Sequence, residues 1–144
     1  MKLRDARPDE MRYVLATWVN SHLSRYPGRH RWQARKVHRA FLANLLEGQP
    51  CKIIVAATEP DCLHGWACAV PGQTLHYCYV PRELREEGLG RRLIQAAFGG
   101  YPGIIPCSTR WPFPSKRYEF RPLLHAAPPS NTALESHEKR RMGA

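Results

Sequence analysis

Apolar side chains recur at near-helical spacing early in the chain, at Met11, Val14, Leu15, Trp18 and Leu23. The pattern predicts a helix over 8–23. Pro8-Asp9-Glu10 suits its start, because proline fits the first turn and acids face the positive end of the helix dipole. Arg25-Tyr26-Pro27-Gly28 breaks it. A second stripe, Ala34, Val37, Phe41 and Leu45, predicts a helix over 31–47 with that stripe in the core and Gly48 as its cap. Three short apolar runs follow, at 51–57, 63–70 and 74–80, parted by Glu59-Pro60-Asp61 and Pro71-Gly72-Gln73. Turns this short predict an antiparallel meander. A short edge strand is expected near 3–7, a further helix over 88–98, and one more strand over 104–108. Beyond Ser108 the chain turns irregular around Trp111-Pro112-Phe113-Pro114. From residue 127 it is polar and proline-rich, as expected of a disordered or loosely attached tail. The organisation is therefore one domain over 1–126 and a tail over 127–144.

Bulk properties narrow the class. A chain of 144 residues with 43% hydrophobic content suits one domain with one core. No apolar run approaches the ~20 residues that span a bilayer. The opening Met1-Lys2-Leu3-Arg4-Asp5 lacks a signal-peptide core, so a soluble, cytoplasmic protein with no membrane partner is expected. The five cysteines form no CxxC pair, and four lie inside apolar runs, which suits free thiols in a reducing compartment. Cys62 and His64 have no second pair at zinc-ligand spacing, so no metal is expected.

The formal net charge is +10. Six basic residues, Arg25, Arg29, Arg31, Arg35, Lys36 and Arg39, lie between Ser21 and Leu46, with His22, His30 and His38 and with no acid among them. Such a run is either a solvated helix face or a field that attracts polyanions and acidic substrates. Nucleic acid is a candidate partner, although no recognised binding motif accompanies the charge.

Candidate chemistry centres on Arg85-Glu86-Glu87-Gly88-Leu89-Gly90, which follows an apolar strand and opens a helix with Leu89, Leu93, Ala96 and Ala97 on one face. Glycines let the backbone approach a ligand, and the free N–H groups of a helix start favour anions. The spacing is neither G-x-G-x-x-G nor G-x-x-x-x-G-K-[ST]. The pattern R-x-x-G-x-G after a strand resembles the pyrophosphate-binding motif of the GNAT acyltransferase superfamily, which uses acetyl-coenzyme A. The order strand, helix, helix, three antiparallel strands, motif helix, strand is also the order of that fold. The resemblance covers about residues 1–108.

The resemblance implies an α/β (α+β) fold: a GNAT-like mixed, mainly antiparallel central sheet flanked by helices in a single domain. It implies that Cys78, Tyr79 and Val80 lie on the strand whose backbone pairs with the pantetheine arm of coenzyme A. Arg85, Glu86, Glu87, Gly88, Leu89, Gly90 and Arg91 would wrap the pyrophosphate. Successive inward N–H groups make such a cradle, while Arg91 or Arg92 either adds charge-assisted bonds or stays on the surface. Relatives often carry Gly where this chain has Glu86, so Glu86 and Glu87 are expected to point to solvent while the backbone binds.

Direct attack of an amine on the thioester would need positioning, an oxyanion partner near Tyr79, a base and an acid. By position, Tyr118 is the acid candidate and His76 the base candidate. Each has an ordinary structural alternative: aromatic packing with Trp111, Phe113 and Phe120, and a hydrogen-bonded histidine. Cys107 has no feature that would make it a nucleophile. Three functions follow: an acetyl-coenzyme A-dependent N-acyltransferase acting on an amine acceptor, a nucleic-acid-associated protein on the same scaffold, or a non-catalytic structural or interaction protein. The proline-rich region after Ser108 departs from the family pattern, so the acceptor side is expected to be atypical or minimal.

Overall fold

The computed structural model describes residues 1–24, 28–58, 61–100, 103–109 and 117–121. The 127–144 tail, the Trp111–Pro114 stretch, Arg25 and the side chain of Arg29 lie outside the described residues.

Among the described residues six strands form one sheet in the order β1-β2-β3-β4-β5-β6. They are β1 (Lys2–Asp5), β2 (Lys52–Thr58), β3 (Cys62–Val70), β4 (Thr74–Tyr79), β5 (Ile105–Cys107) and β6 (Tyr118–Phe120). The first four pair antiparallel, and the expected meander is β2-β3-β4. β5 then joins β4 in parallel and β6 joins β5 in parallel. A parallel step needs a crossover, and helix α3 (Leu89–Phe98) supplies it between β4 and β5. The sheet is thus mixed, mainly antiparallel and flanked by helices, as the GNAT-like reading requires. β6 was not among the expected strands.

The pleat sends alternate side chains to two faces. One face lays Ala56, Ala67, Ala69 and Leu75 beneath Leu93, Ala97 and Phe98 of α3. The three alanines leave room for the helix to sit close. The other face packs Val55, Trp66 and Cys68 against Val14 and Trp18 of α1 (Met11–Leu23) and Leu42 of α2 (Gly28–Gly48). Trp66 is fully buried, and its indole Nε1 donates to Thr17 Oγ1 at 2.8 Å, so the polar end of the ring is satisfied.

A 3-10 turn over Pro8–Glu10 opens α1. Glu10 reaches back to accept from the Arg7 N–H at 2.8 Å, and Arg4 of β1 grips both its oxygens at 2.7 and 2.8 Å. A two-point charged contact of this kind fixes the angle at which β1 enters the helix.

Two expectations need correction. In α2 the buried positions are Leu42 and Leu45 with half-buried Ala34 and His38, whereas Val37 and Phe41 are 71% and 41% exposed. The helix is rotated so that His38, not Val37, faces α1. Val80 follows β4 instead of lying on it, because pairing with β3 ends at Tyr79 opposite Trp66.

Candidate cofactor groove

β4 carries a bulge. Cys68 faces Tyr77 and the next β3 residue, Ala69, faces Leu75, so His76 is an extra residue on β4. Its ring is 1% exposed. Nδ1 lies 2.7 Å from Ser108 Oγ and Nε2 lies 2.8 Å from Gln49 Oε1. With Gln49 Oε1 as acceptor, Nε2 carries the hydrogen and Nδ1 accepts from the Ser108 hydroxyl, an assignment drawn from the bonding pattern. His76 therefore pins the bulge to the end of β5 and to the end of α2.

Beside the bulge, β4 and β5 meet at one register position, Leu75 opposite Cys107. The Ser108 N–H donates to Leu75 O at 3.1 Å and Thr109 Oγ1 donates to His76 O at 2.8 Å. Beyond that point no described strand pairs with this side of β4 over residues 77–79. An unpaired edge offers a row of main-chain donors and acceptors to an extended partner.

The open edge leads into the motif loop. A 3-10 turn at Arg82–Leu84 follows Pro81, and Arg85 folds back so that its Nε donates to Val80 O at 3.0 Å. Glu86 then adopts a left-handed φ of 73°, and Gly88 a left-handed φ of 81° as the residue capping α3. No side chain caps this helix. Its first-turn N–H groups thus have no partner inside the helix and face outward. Glu86, Glu87 and Gly88 are exposed, while Leu89 is buried and anchors the turn. The carboxylates of Glu86 and Glu87 stand in solvent.

Glycine brings the two halves together. A Cβ on Gly65 of β3 would lie 2.8 Å from Tyr79 O, and one on Gly90 would lie 3.6 Å from Val80 Cγ2 and 3.9 Å from Cys78 Sγ. The Cys78 thiol lies 3.8 Å from Gly90 O beneath α3, and burial pushes it up to about 12. The Cys78 thiol belongs to the packing beneath α3, while its main chain lies on the open edge of β4.

Tyr77 and Tyr79 turn to the α1 side. The Tyr77 hydroxyl bonds Ser21 Oγ, its ring stacks 5.6 Å from Trp18, and Tyr79 sits 6.3 Å from Trp66. Burial, with Tyr79 nearby, raises the Tyr13 phenol. Tyr13, Thr17 and Ser21 fall at i, i+4 and i+8 on α1, so a hydroxyl-bearing stripe of this helix faces the sheet beside Tyr77 and Trp66. Reasoning from sequence treated α1 only as core and missed it, although the spacing was there to be seen.

Neither expected catalytic side chain stands at the open edge. His76 is buried with both ring nitrogens engaged. Tyr118 pairs with Ile105 and packs on the α3-side core. Since Cys107 is level with Leu75, Tyr118 is level with position 73 and two strands away. Tyr79 lies six residues further along, roughly 20 Å at 3.3 Å per residue. Among the described residues no three His, Cys, Asp or Glu side chains gather as metal ligands, and no helix is long and apolar enough to cross a membrane.

No family model and no curated protein matches the sequence. Solved structures do match in shape. A Pyrococcus furiosus protein assigned as an acetyl transferase superposes with a TM-score of 0.64 at 17% identity, over 78% of this chain and 85% of its own. Two others align less fully. Escherichia coli YjaB in its apo form has 24% identity and a TM-score of 0.48, over 68% of this chain and 64% of its own. A GNAT superfamily phosphinothricin acetyltransferase from Sinorhizobium meliloti, solved with acetyl-coenzyme A, has 19% identity and a TM-score of 0.45, over 68% and 57%. The first of these establishes the fold: a GNAT-like α/β domain.

Proposed function

We propose that this chain binds acetyl-coenzyme A along the open edge of β4 and transfers its acetyl group to an amine. The observation that carries the proposal is a continuity. An unpaired strand edge runs directly into an uncapped helix start whose preceding loop is held in left-handed turns. One ligand must suit both parts: an extended arm bearing amides for the edge, and a pyrophosphate for the helix start. Coenzyme A has both. Arg85 and Arg91 then add positive charge beside a cradle made of backbone N–H groups from Glu86 to Gly90, with Leu89 buried as its anchor.

In this arrangement Cys78 and Tyr79 pair by main chain with the pantetheine arm, and Val80 lines the turn toward the phosphates. A strand N–H near Tyr79 donates to the developing oxyanion as the amine attacks the thioester; the C–S bond then breaks, and the proton lost by the amine passes through water to the departing thiolate, which leaves as the coenzyme A thiol. Most of the acceleration comes from holding thioester and amine together, which supplies effective molarities of about 10⁵ M or more in well-oriented systems. His76 acts by fixing the bulge where β4 and β5 part.

Thermal unfolding with and without a millimolar excess of acetyl-coenzyme A tests the proposal, because a ligand that binds only the native state must raise the midpoint. Gly88→Asp, which puts a carboxylate into the cradle, should abolish the rise. No rise in the parent protein would sink the idea. A second reading, cofactor binding without turnover, is favoured by the placement of His76 and Tyr118 away from the open edge. It predicts the same thermal rise with no coenzyme A released across a panel of amines.

A further inference from the structure

The first half of α2 stands away from the core, with every residue from Gly28 to Phe41 whose exposure is described being exposed except the half-buried Ala34 and His38. Trp32 is 70% exposed. Burial of apolar area does not explain an indole left in water, and three cations share its face of the helix. At 3.6 residues per turn, Arg35, Arg39, Trp32 and Lys36 fall within about 100° of arc on one face. Lys36 Nζ sits 5.6 Å from the centre of the Trp32 ring. None of the three cations takes part in an ion pair among the described residues. No Asp or Glu occurs from Met11 to Leu46, so nothing in this part of the sequence offsets the positive field.

We propose that this face of α2 binds single-stranded nucleic acid, with Trp32 stacking on a base and Arg35, Lys36 and Arg39 contacting the flanking phosphates. The chemistry matches on both counts. An exposed aromatic ring among cations is a stacking platform set in an electrostatic groove, and it tolerates any base because every base has a π-face. A duplex keeps its bases stacked inside and would leave the indole unused. An anionic membrane fits less well. A helix lying in a lipid interface gathers its apolar residues opposite its charges. Here Val37 and Phe41 do lie opposite the charges, but the larger and more exposed Trp32 is roughly 140–180° away from them, among the charges, where it could not enter the lipid with them. The inference does not depend on acyl transfer.

Fluorescence anisotropy of a fluorescein-labelled oligothymidine with the full chain tests it. Binding should saturate and weaken with salt. Arg35→Gln, Lys36→Gln and Arg39→Gln should each make the log–log salt slope shallower by about 0.7. Trp32→Ala should weaken binding by about 5- to 150-fold while leaving that slope unchanged. Lys52→Gln, the same charge change at an exposed site on β2, should have no effect. Saturating coenzyme A should not displace the oligonucleotide. All these side chains are exposed, so circular dichroism of each variant should match the parent. Three results would overturn the inference: no saturable binding at low salt, equal affinity for duplex with Trp32→Ala silent, or capture by phosphatidylserine vesicles without oligonucleotide binding.

Discussion

His38 of α2 lies face to face with His22 of α1, ring centres 4.0 Å apart and planes 11° from parallel. Burial first, and His22 second, lower the His38 pKa from 6.5 to about 4. Its Nε2 is buried without a hydrogen-bond partner among the described residues. The folded state thus holds this imidazole neutral where an unfolded chain would protonate it. Between about pH 6.5 and 4 the unfolded state binds the extra proton, so stability should fall as pH falls through that window and be unaffected above it. Thermal midpoints measured across the range should show the slope, and His38→Gln should flatten it. An unchanged slope in the variant would show that the pair does not govern this window.

A second acid-sensitive contact should separate cleanly from the first. The Glu10 carboxyl is lowered from 4.5 to about 2, first by its hydrogen bonds from Arg4 and further by the Arg7 N–H and the two positive charges, while burial pulls it upward. A depressed carboxyl contributes stability in full above about pH 4.5 and loses it as pH falls toward 2. Glu10→Gln should remove that lower window, leave the His38 window intact, and cost about 2 kcal/mol at neutral pH, since it leaves the poorly exposed Arg4 guanidinium without its carboxylate. Urea unfolding at neutral pH and at pH 3 measures both effects.

The same two residues show what the sequence made legible. The meander, the acid-started α1 and the motif helix were readable because their signals are local: alternation, short turns, proline and glycine punctuation. The buried face of α2 was not. Its core side is Ala34, His38, Leu42 and Leu45, and the one polar letter in that series diverted the reading to Val37 and Phe41. A histidine can serve as a core residue when it is neutral and stacked, a condition set by α1 and invisible in α2 alone. The strand β5 was readable over 104–108, but its parallel pairing, the strand β6 and the bulge at His76 depend on contacts between distant segments, so no local pattern announced them. For His76 and Tyr118 the ordinary alternatives offered by the sequence, a hydrogen-bonded histidine and a packed tyrosine, are what the structure shows.

Glu86 offers a direct test of backbone strain. It is the one described non-glycine residue with positive φ, at 73°. That conformation costs a residue with a Cβ about 1–2 kcal/mol and costs glycine almost nothing. Glu86→Gly should therefore stabilise the protein by about 0.5–1 kcal/mol after the added freedom of the unfolded chain is subtracted. It should also tighten acetyl-coenzyme A binding by removing a carboxylate beside the cradle. Glu86→Ala keeps the Cβ and should show the electrostatic gain without the stability gain. Denaturant unfolding and calorimetric titration of the two variants separate the effects. Equal stability of the Gly and Ala variants would refute the strain account.

The two glycines beside the groove should respond oppositely to alanine. A Cβ on Gly65 would meet the Tyr79 carbonyl oxygen at 2.8 Å, and neither backbone can yield without moving β3 or β4. Gly65→Ala should cost about 1–3 kcal/mol, as overpacked sites do. It should also weaken acetyl-coenzyme A binding, because the strand that shifts is the one with the open edge. Gly90 is the second residue of α3, where a Cβ would meet Val80 Cγ2 at 3.6 Å and Cys78 Sγ at 3.9 Å, both ordinary contacts. Helix interiors favour alanine over glycine by up to about 1 kcal/mol, and a first-turn position by less, so Gly90→Ala should be neutral or slightly stabilising. The Gly90 N–H stays in place, so cofactor binding should survive. Gly90→Asp adds a carboxylate at the same point and should abolish it. If Gly90→Ala also loses binding, the phosphates approach this residue too closely for any side chain, and the cradle is tighter than the described geometry requires.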